Sequence, residues 1–122
     1  VERRHIIAQR YDTELSSLPI KRPLQSKGVY SAHHLYPIRI SNEKTSLNQR
    51  QVYDAMQKLG IQVNLHYIPV YLQPYYEQFG FKQGYCPEAE KYHRDAISIP
   101  MYASLSEADQ TRVISVLHDV LG

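Results

Sequence analysis

Leu59-Gly60-Ile61-Gln62-Val63-Asn64-Leu65-His66-Tyr67-Ile68-Pro69 turns a helical pattern into an extended one and then into a proline-bounded loop. Upstream of it, Val52, Met56 and Leu59 fall on one face of a helix that Ser46 is placed to cap and Gly60 to stop. Downstream, Ile61, Val63 and Leu65 alternate with Gln62 and Asn64, the pattern of a half-buried strand over Ile61 to His66. A helix that runs directly into a strand is the signature of a layered fold mixing both element types.

The same alternation extends in both directions. Glu2 to Ser17 reads as a helix carrying Ile6, Ile7, Tyr11, Leu15 and Leu18 on one face, ended by Pro19 and Pro23, with a polar connector over Lys21 to Lys27. Ala32 to Ile40 reads as a strand, with Tyr36, Ile38 and Ile40 on one face, Leu35, Pro37 and Arg39 on the other, and Pro37 favouring an edge. Pro74 is suited to start a helical turn or two reaching Gln78, before Gly80 and Gly84 break the chain. Pro87 opens a helix to about Asp95, Ala96 to Pro100 reads as a third strand, and Ser106 with Asp109 marks the start of a last helix carrying Val113, Val116, Leu117, Val120 and Leu121 inward. The expectation is an α+β domain: a small three-stranded sheet, mixed or antiparallel, covered by helices on one face.

Composition narrows the class. A chain of 122 residues with 43% hydrophobic content is read as one domain spanning 1–122. No apolar run has the length of a membrane helix, and the charge of +2 is too small to imply a polyanionic partner. Cys86 is the only cysteine, which rules out an intrachain disulfide and a cysteine-rich zinc site and points to a reducing, cytoplasmic setting. The chain opens at Val1 inside a helical pattern, which is what a fragment cut from a longer protein would show, as would processing of the N-terminus.

Chemistry-bearing motifs are sparse. His33 and His34, adjacent on a strand, would point to opposite faces, and no His-x-x-x-His or Cys-x-x-Cys spacing occurs, so no metal site is expected. No nucleophile elbow, phosphate-binding glycine loop or dinucleotide fingerprint is present, and Cys86 before Pro87 reads as structural. What stands out is Asn64 to Tyr76, which holds Tyr67, Tyr71, Tyr75 and Tyr76 with His66 and Gln73 and is punctuated by Pro69 and Pro74. Tyrosine and histidine combine flat apolar faces with hydrogen-bonding tips, which suits a polar, ring-shaped ligand. The other reading is an aromatic plug closing one end of the core. The basic residues Arg3, Arg4 and Arg10 lie on the first helix and Lys21, Arg22 and Lys27 in the connector, away from the rings, so a solvated charged face is read in preference to a nucleic-acid surface.

The order of segments carries a resemblance. Tyr11 and Leu15, then His34-Leu35-Tyr36, Arg50, Leu59-Gly60-Ile61, His66-Tyr67-Ile68-Pro69, Gln73-Pro74-Tyr75-Tyr76, Cys86-Pro87-Glu88-Ala89-Glu90 and Ile97-Ser98-Ile99-Pro100-Met101-Tyr102 before Leu105-Ser106 together resemble the C-terminal part of the DegT-type sugar-nucleotide aminotransferases. Within them the chain is most similar to enzymes aminating a UDP-linked 4-keto-6-deoxy sugar on the pseudaminic acid route, the UDP-4-amino-4,6-dideoxy-N-acetyl-altrosamine transaminases. The resemblance implies the small C-terminal domain of the aspartate-aminotransferase fold, in a parent enzyme that uses pyridoxal phosphate, takes its amino group from glutamate and works as a homodimer. Catalytic and cofactor-binding residues would lie in a large domain that this chain lacks, so the chain alone is expected to be inactive and to hold no cofactor. Ile6, Ile7 and Tyr11 are expected to have packed against that domain. His66 and Tyr67 match the family's His-Tyr pair at the end of a strand and would face the nucleotide sugar. Tyr71, the third residue assigned to substrate binding, stands where relatives often have a second histidine. The alternative from another class is a free-standing module binding a nucleotide or single-stranded RNA.

Overall fold

A computed structural model describes residues 1–65 and 67–122. Strands β1 (Ile20–Lys21), β2 (Tyr36–Ile40), β3 (Asn64–Leu65) and β4 (Ala96–Ile99) form one antiparallel sheet in the order β1-β2-β4-β3. Helices α1 (Glu2–Glu14), α2 (Gln49–Lys58), α3 (Pro74–Glu77), α4 (Pro87–Asp95) and α5 (Glu107–Leu121), with a 3-10 turn at Val70–Leu72, complete the α+β architecture. The register places Ile38 opposite Ile97, Tyr36 opposite Ile99, Ile20 opposite Ile40 and Leu65 opposite Ile97. Directly opposed residues share a face. One face of the sheet is therefore apolar, and the other carries Lys21, Pro37, Arg39, Asn64 and Ser98.

Three differences from the sequence reading have physical causes. A two-residue edge strand, β1, joins the three expected strands, because the chain after Leu18 runs antiparallel to Ile40 for one short step. It reaches only to Arg39, so the flank of β2 at Pro37 away from β4 has no ladder partner, which is where a residue without an N–H is tolerated. The strand expected over Ile61 to His66 pairs only at Asn64–Leu65; Ile61 and Val63 still bury their side chains, and His66 lies outside the described residues. The cap of α2 is Asn48 and not Ser46: its side chain accepts from the Gln51 amide at 2.9 Å while the Gln51 side chain accepts from the Asn48 amide at 2.9 Å.

Helices α1, α2 and α5 cover the apolar face, with Ile7, Tyr11, Leu15, Val52, Met56, Val113 and Leu117 in one core with Tyr36, Ile38 and Ile97. Ile7 and Tyr11 are fully buried inside this domain, which corrects the expectation that they awaited another one; of that set only Ile6 is exposed. Polar tips anchor α1: the Tyr11 hydroxyl donates to the Pro100 carbonyl at 2.8 Å, and Gln110, itself buried, donates to the Ile7 carbonyl at 2.8 Å. Burial raises the Tyr11 hydroxyl far above the ordinary phenol range, so it remains a donor.

The expected strand from Ala32 begins only at Tyr36, because His33 takes a left-handed conformation (φ 48°) that ends any extension before it. Its ring is buried edge-on against His5, at 4.6 Å between centroids, and His5 stacks on Tyr30 at 4.0 Å while donating to the Ser31 carbonyl. The Gln25 amide nitrogen lies 3.1 Å from His33 Nε2, which accepts from it while the ring is neutral. Burial, then the neighbouring His5, push the His33 pKa below its ordinary value of 6.5, against a weaker upward pull from Asp12.

Two predictions follow from these local bonds. Replacing Asn48 by alanine is expected to cost about 1 kcal/mol, read from urea midpoints, whereas Ser46→Ala stays within about 0.5 kcal/mol. For His33 the folded state favours the neutral ring, so the unfolded chain takes up the proton first as pH falls. The stabilising contribution is complete above the ordinary value of 6.5 and is lost as pH drops through it towards the lower folded value. Melting curves from pH 8 to pH 5 are expected to show a steeper acid-side loss in the wild type than in His33→Asn, whose side chain tolerates the left-handed backbone; parallel curves would exclude the effect.

Candidate functional site

Beyond β3 the chain leaves the sheet. Pro69 fixes the entry to the 3-10 turn, and Pro74 occupies the first position of α3, where its missing N–H costs nothing. No residue of Val70–Leu72 or Pro74–Glu77 is buried, which rules out the plug reading. The rings pack on one another instead. Tyr71 meets Tyr85 at 5.3 Å, Tyr85 meets Phe81 at 4.9 Å, Phe81 meets Tyr76 at 6.3 Å, and Tyr75 touches Tyr76 at 5.0 Å and Phe79 at 5.6 Å. All five pairs are edge-on, the geometry that ring quadrupoles favour. The result is an aromatic lobe beside the core.

One polar node ties the lobe to the helix that follows it. The Tyr71 hydroxyl donates to the Glu90 carboxylate and accepts from the Cys86 amide at 3.1 Å. Glu90 accepts in addition from the Gly84 amide at 2.8 Å. The hydroxyl bond to Tyr71 is the main influence lowering the Glu90 pKa; burial opposes it and the amides of Gly84 and Cys86 reinforce it. Tyr71 moves the other way, raised first by desolvation and then by its bond to Glu90. Cys86 caps α4 without a side-chain bond, so the Tyr71 hydroxyl takes up an amide that would otherwise be open at that helix start.

Of the three residues assigned to substrate binding, Tyr67 is 93% exposed, directly after the sheet. Tyr71 presents its ring to the lobe and its hydroxyl to α4. His66 lies outside the described residues. Sequence reasoning missed Glu90: a glutamate in the first turn of a helix reads as a dipole partner facing solvent, and no local pattern links it to a tyrosine nineteen positions earlier.

A separate open cleft of about 840 Å³ lies between the ends of β3 and β4 and helices α2 and α5, with Tyr53, Asn64, Tyr102, Asp109 and Arg112 among its lining residues. No residue of the aromatic lobe contributes to it. Arg112 donates to the Leu59 carbonyl at 2.5 Å, closing the C-terminal end of α2.

The reactive groups expected elsewhere in a pyridoxal-phosphate enzyme do not fit here. A Schiff-base lysine works from a desolvated pocket. Lys21, Lys27, Lys44, Lys58, Lys82 and Lys91 are all exposed, and none lines the cleft. Among the described residues no group of three or more His, Cys, Asp or Glu is arranged to hold a metal ion, and no helix is long and apolar enough to cross a membrane. Two of the three arginines of α1 are engaged within the domain: Arg3 donates to the Leu105 carbonyl at 2.9 Å, and Arg10 to Thr111 at 2.7 Å.

Comparison with known proteins agrees with this geometry. Residues 1–118 match the DegT/DnrJ/EryC1/StrS aminotransferase family, and the chain belongs to it. The spore coat polysaccharide biosynthesis protein SpsC of Bacillus subtilis is 32% identical over 98% of this chain, which spans only 32% of that protein. A DegT/DnrJ/EryC1/StrS aminotransferase from Brucella abortus superposes with a TM-score of 0.85 at 31% identity, over 99% of this chain and 31% of its own. Helicobacter pylori PseC, an aminotransferase involved in the biosynthesis of pseudoaminic acid, superposes with a TM-score of 0.82 over 98% of this chain and 32% of its own; at 24% identity that likeness concerns the fold alone. The chain thus spans about a third of the length of these relatives.

Proposed function

We propose that this member of the DegT/DnrJ/EryC1/StrS family is the C-terminal domain of a pyridoxal-phosphate-dependent nucleotide-sugar aminotransferase, forming one wall of the substrate cleft. The observation that carries the reading is the exposure of all six lysines in a chain that matches its relatives along nearly its whole length but covers a third of theirs. When bound, pyridoxal phosphate supplies the electron sink for amino transfer; the lysine that holds it would come from the part of the parent outside this chain. The parent would take its amino group from glutamate and place it on a UDP-linked 4-keto-6-deoxy sugar of the pseudaminic acid type. It would act as a homodimer in the cytoplasm.

Within that division the chain supplies recognition. Tyr67 offers an exposed ring with a hydrogen-bonding tip, and His66, its neighbour in sequence, offers a donor that can carry charge. A charge-assisted hydrogen bond from His66 to a phosphate or sugar oxygen contributes about 1.5–3 kcal/mol.

Two measurements test the proposal. The 122-residue chain mixed with pyridoxal phosphate is expected to develop no stoichiometric visible band that depends on a single lysine; such a band would overturn the division of labour. In the enzyme expressed from its complete coding sequence, His66→Ala is expected to raise KM for the nucleotide sugar roughly ten- to hundredfold with a smaller effect on glutamate, and His66→Gln to recover part of that loss. A lowered Tm with unchanged KM in both variants would instead make His66 a packing residue.

A further inference from the structure

Glu90 is a buried carboxylate in a helix whose other first-turn acid, Glu88, is exposed. Its partners do not belong to its own helix. Oε2 receives the Tyr71 hydroxyl from the 3-10 turn and the Gly84 amide, at 2.8 Å, from the loop ahead of α4. The Tyr71 hydroxyl in turn receives the Cys86 amide at 3.1 Å. One carboxylate thus fixes three separate stretches: Val70–Leu72, the turn at Gly84 and the start of α4. Among the described residues the lobe is otherwise held by ring contacts and short-range turns, with the Leu72 amide on the Pro69 carbonyl at 2.9 Å and the Gln73 amide on the Val70 carbonyl at 3.0 Å. Because no residue of the 3-10 turn or α3 is buried, apolar packing on the core does not set the direction of the segment.

We propose that Glu90 is a positioning residue: through Tyr71 it sets the placement of the segment beginning at Tyr67, and thereby the affinity of the enzyme for its nucleotide sugar. The consequence for affinity rests on the reading of Tyr67 as a substrate-facing residue; the consequence for the segment does not. Glutamine at position 90 keeps the shape and one oxygen that can still accept from both Tyr71 and Gly84, but it removes the charge that strengthens both bonds. Phenylalanine at position 71 keeps the ring in the aromatic string and removes only the hydroxyl.

Both consequences are measured on Glu90→Gln, Tyr71→Phe and the double variant. In the 122-residue chain, hydrogen exchange at the amides of Leu72, Gln73, Gly84 and Cys86 is expected to quicken about tenfold in each single variant, with the amides of β4 and α5 unchanged. In the complete enzyme, KM for the nucleotide sugar is expected to rise about tenfold with kcat within twofold and KM for the amino donor unchanged. The double variant is expected to be no worse than the worse single one, since the two side chains act as one unit. Unchanged exchange in the segment would overturn the proposal, as would a lowered Tm with an unaltered KM. A wild-type enzyme without transaminase activity would overturn the functional reading instead, and the exchange experiment would still decide the role of Glu90.

Discussion

In β4 all four residues, Ala96, Ile97, Ser98 and Ile99, are buried, although only the two isoleucines face the apolar core. A strand buried on both faces needs cover on both, and the helices on either side of the sheet supply it. On one side Ile97 and Ile99 meet Ile38, Tyr36 and the helices α1, α2 and α5. On the other, α4 leads into β4 without a linker and folds back beside β2. There Arg39 lies over the Tyr92 ring, 5.3 Å from its centroid, and 3.7 Å from the Asp95 carboxylate. The ion pair is half-sheltered, and Asn42 donates to the second Asp95 oxygen at 3.1 Å, so the buried acid is not left to Arg39 alone.

Helix α4 is held at its C-terminal end by a side chain from α2 and at its N-terminal end by Tyr71 together with its own Glu90. At its C-terminus Gln49, the first residue of α2, donates to the His93 carbonyl at 2.9 Å and the Ala96 carbonyl at 2.6 Å, taking up acceptors that a helix end leaves open. At its N-terminus Tyr71 and Glu90 do the corresponding work for the Cys86 and Gly84 amides. The helix is therefore a bracket: one end belongs to the core, the other to the aromatic lobe. This is how a segment that buries nothing in the core acquires a defined place relative to the sheet.

What was legible in the sequence follows period and punctuation. Tyr36, Ile38 and Ile40 alternate cleanly and are buried as read, and Pro74, Pro87 and Ser106 mark helix starts because each fixes its own backbone or accepts from it. The family was legible because many weak segments keep one order. Other features depend on partners distant in sequence and leave no local trace. β1 exists only because Ile40 offers it an edge, and the unpaired Ile61 and Val63 obey the strand pattern without a ladder. Asn48 and not Ser46 is the cap because Gln51 returns its bond, a reciprocity written in the sequence as Asn-x-x-Gln. Of the candidate site, the aromatic segment was legible as unusual, whereas the inward turn of the Tyr71 hydroxyl was not, since Glu90 reads locally as solvent-facing.

The protonation states of that node decide what the lobe can contribute to chemistry. Desolvation and the negative charge of Glu90 both disfavour a phenolate at Tyr71, while the Tyr71 hydroxyl and two backbone amides favour a carboxylate at Glu90. The pair thus holds one proton on the phenol and none on the acid, and each partner reinforces the other's state. A tyrosine so held neither gives up its proton as an acid nor accepts one as a base near neutral pH; it serves as a strut. The same division runs through the rest of the chain, whose lysines all stand in solvent and whose buried acids are all bonded. Its described side chains are arranged to shape and orient a surface.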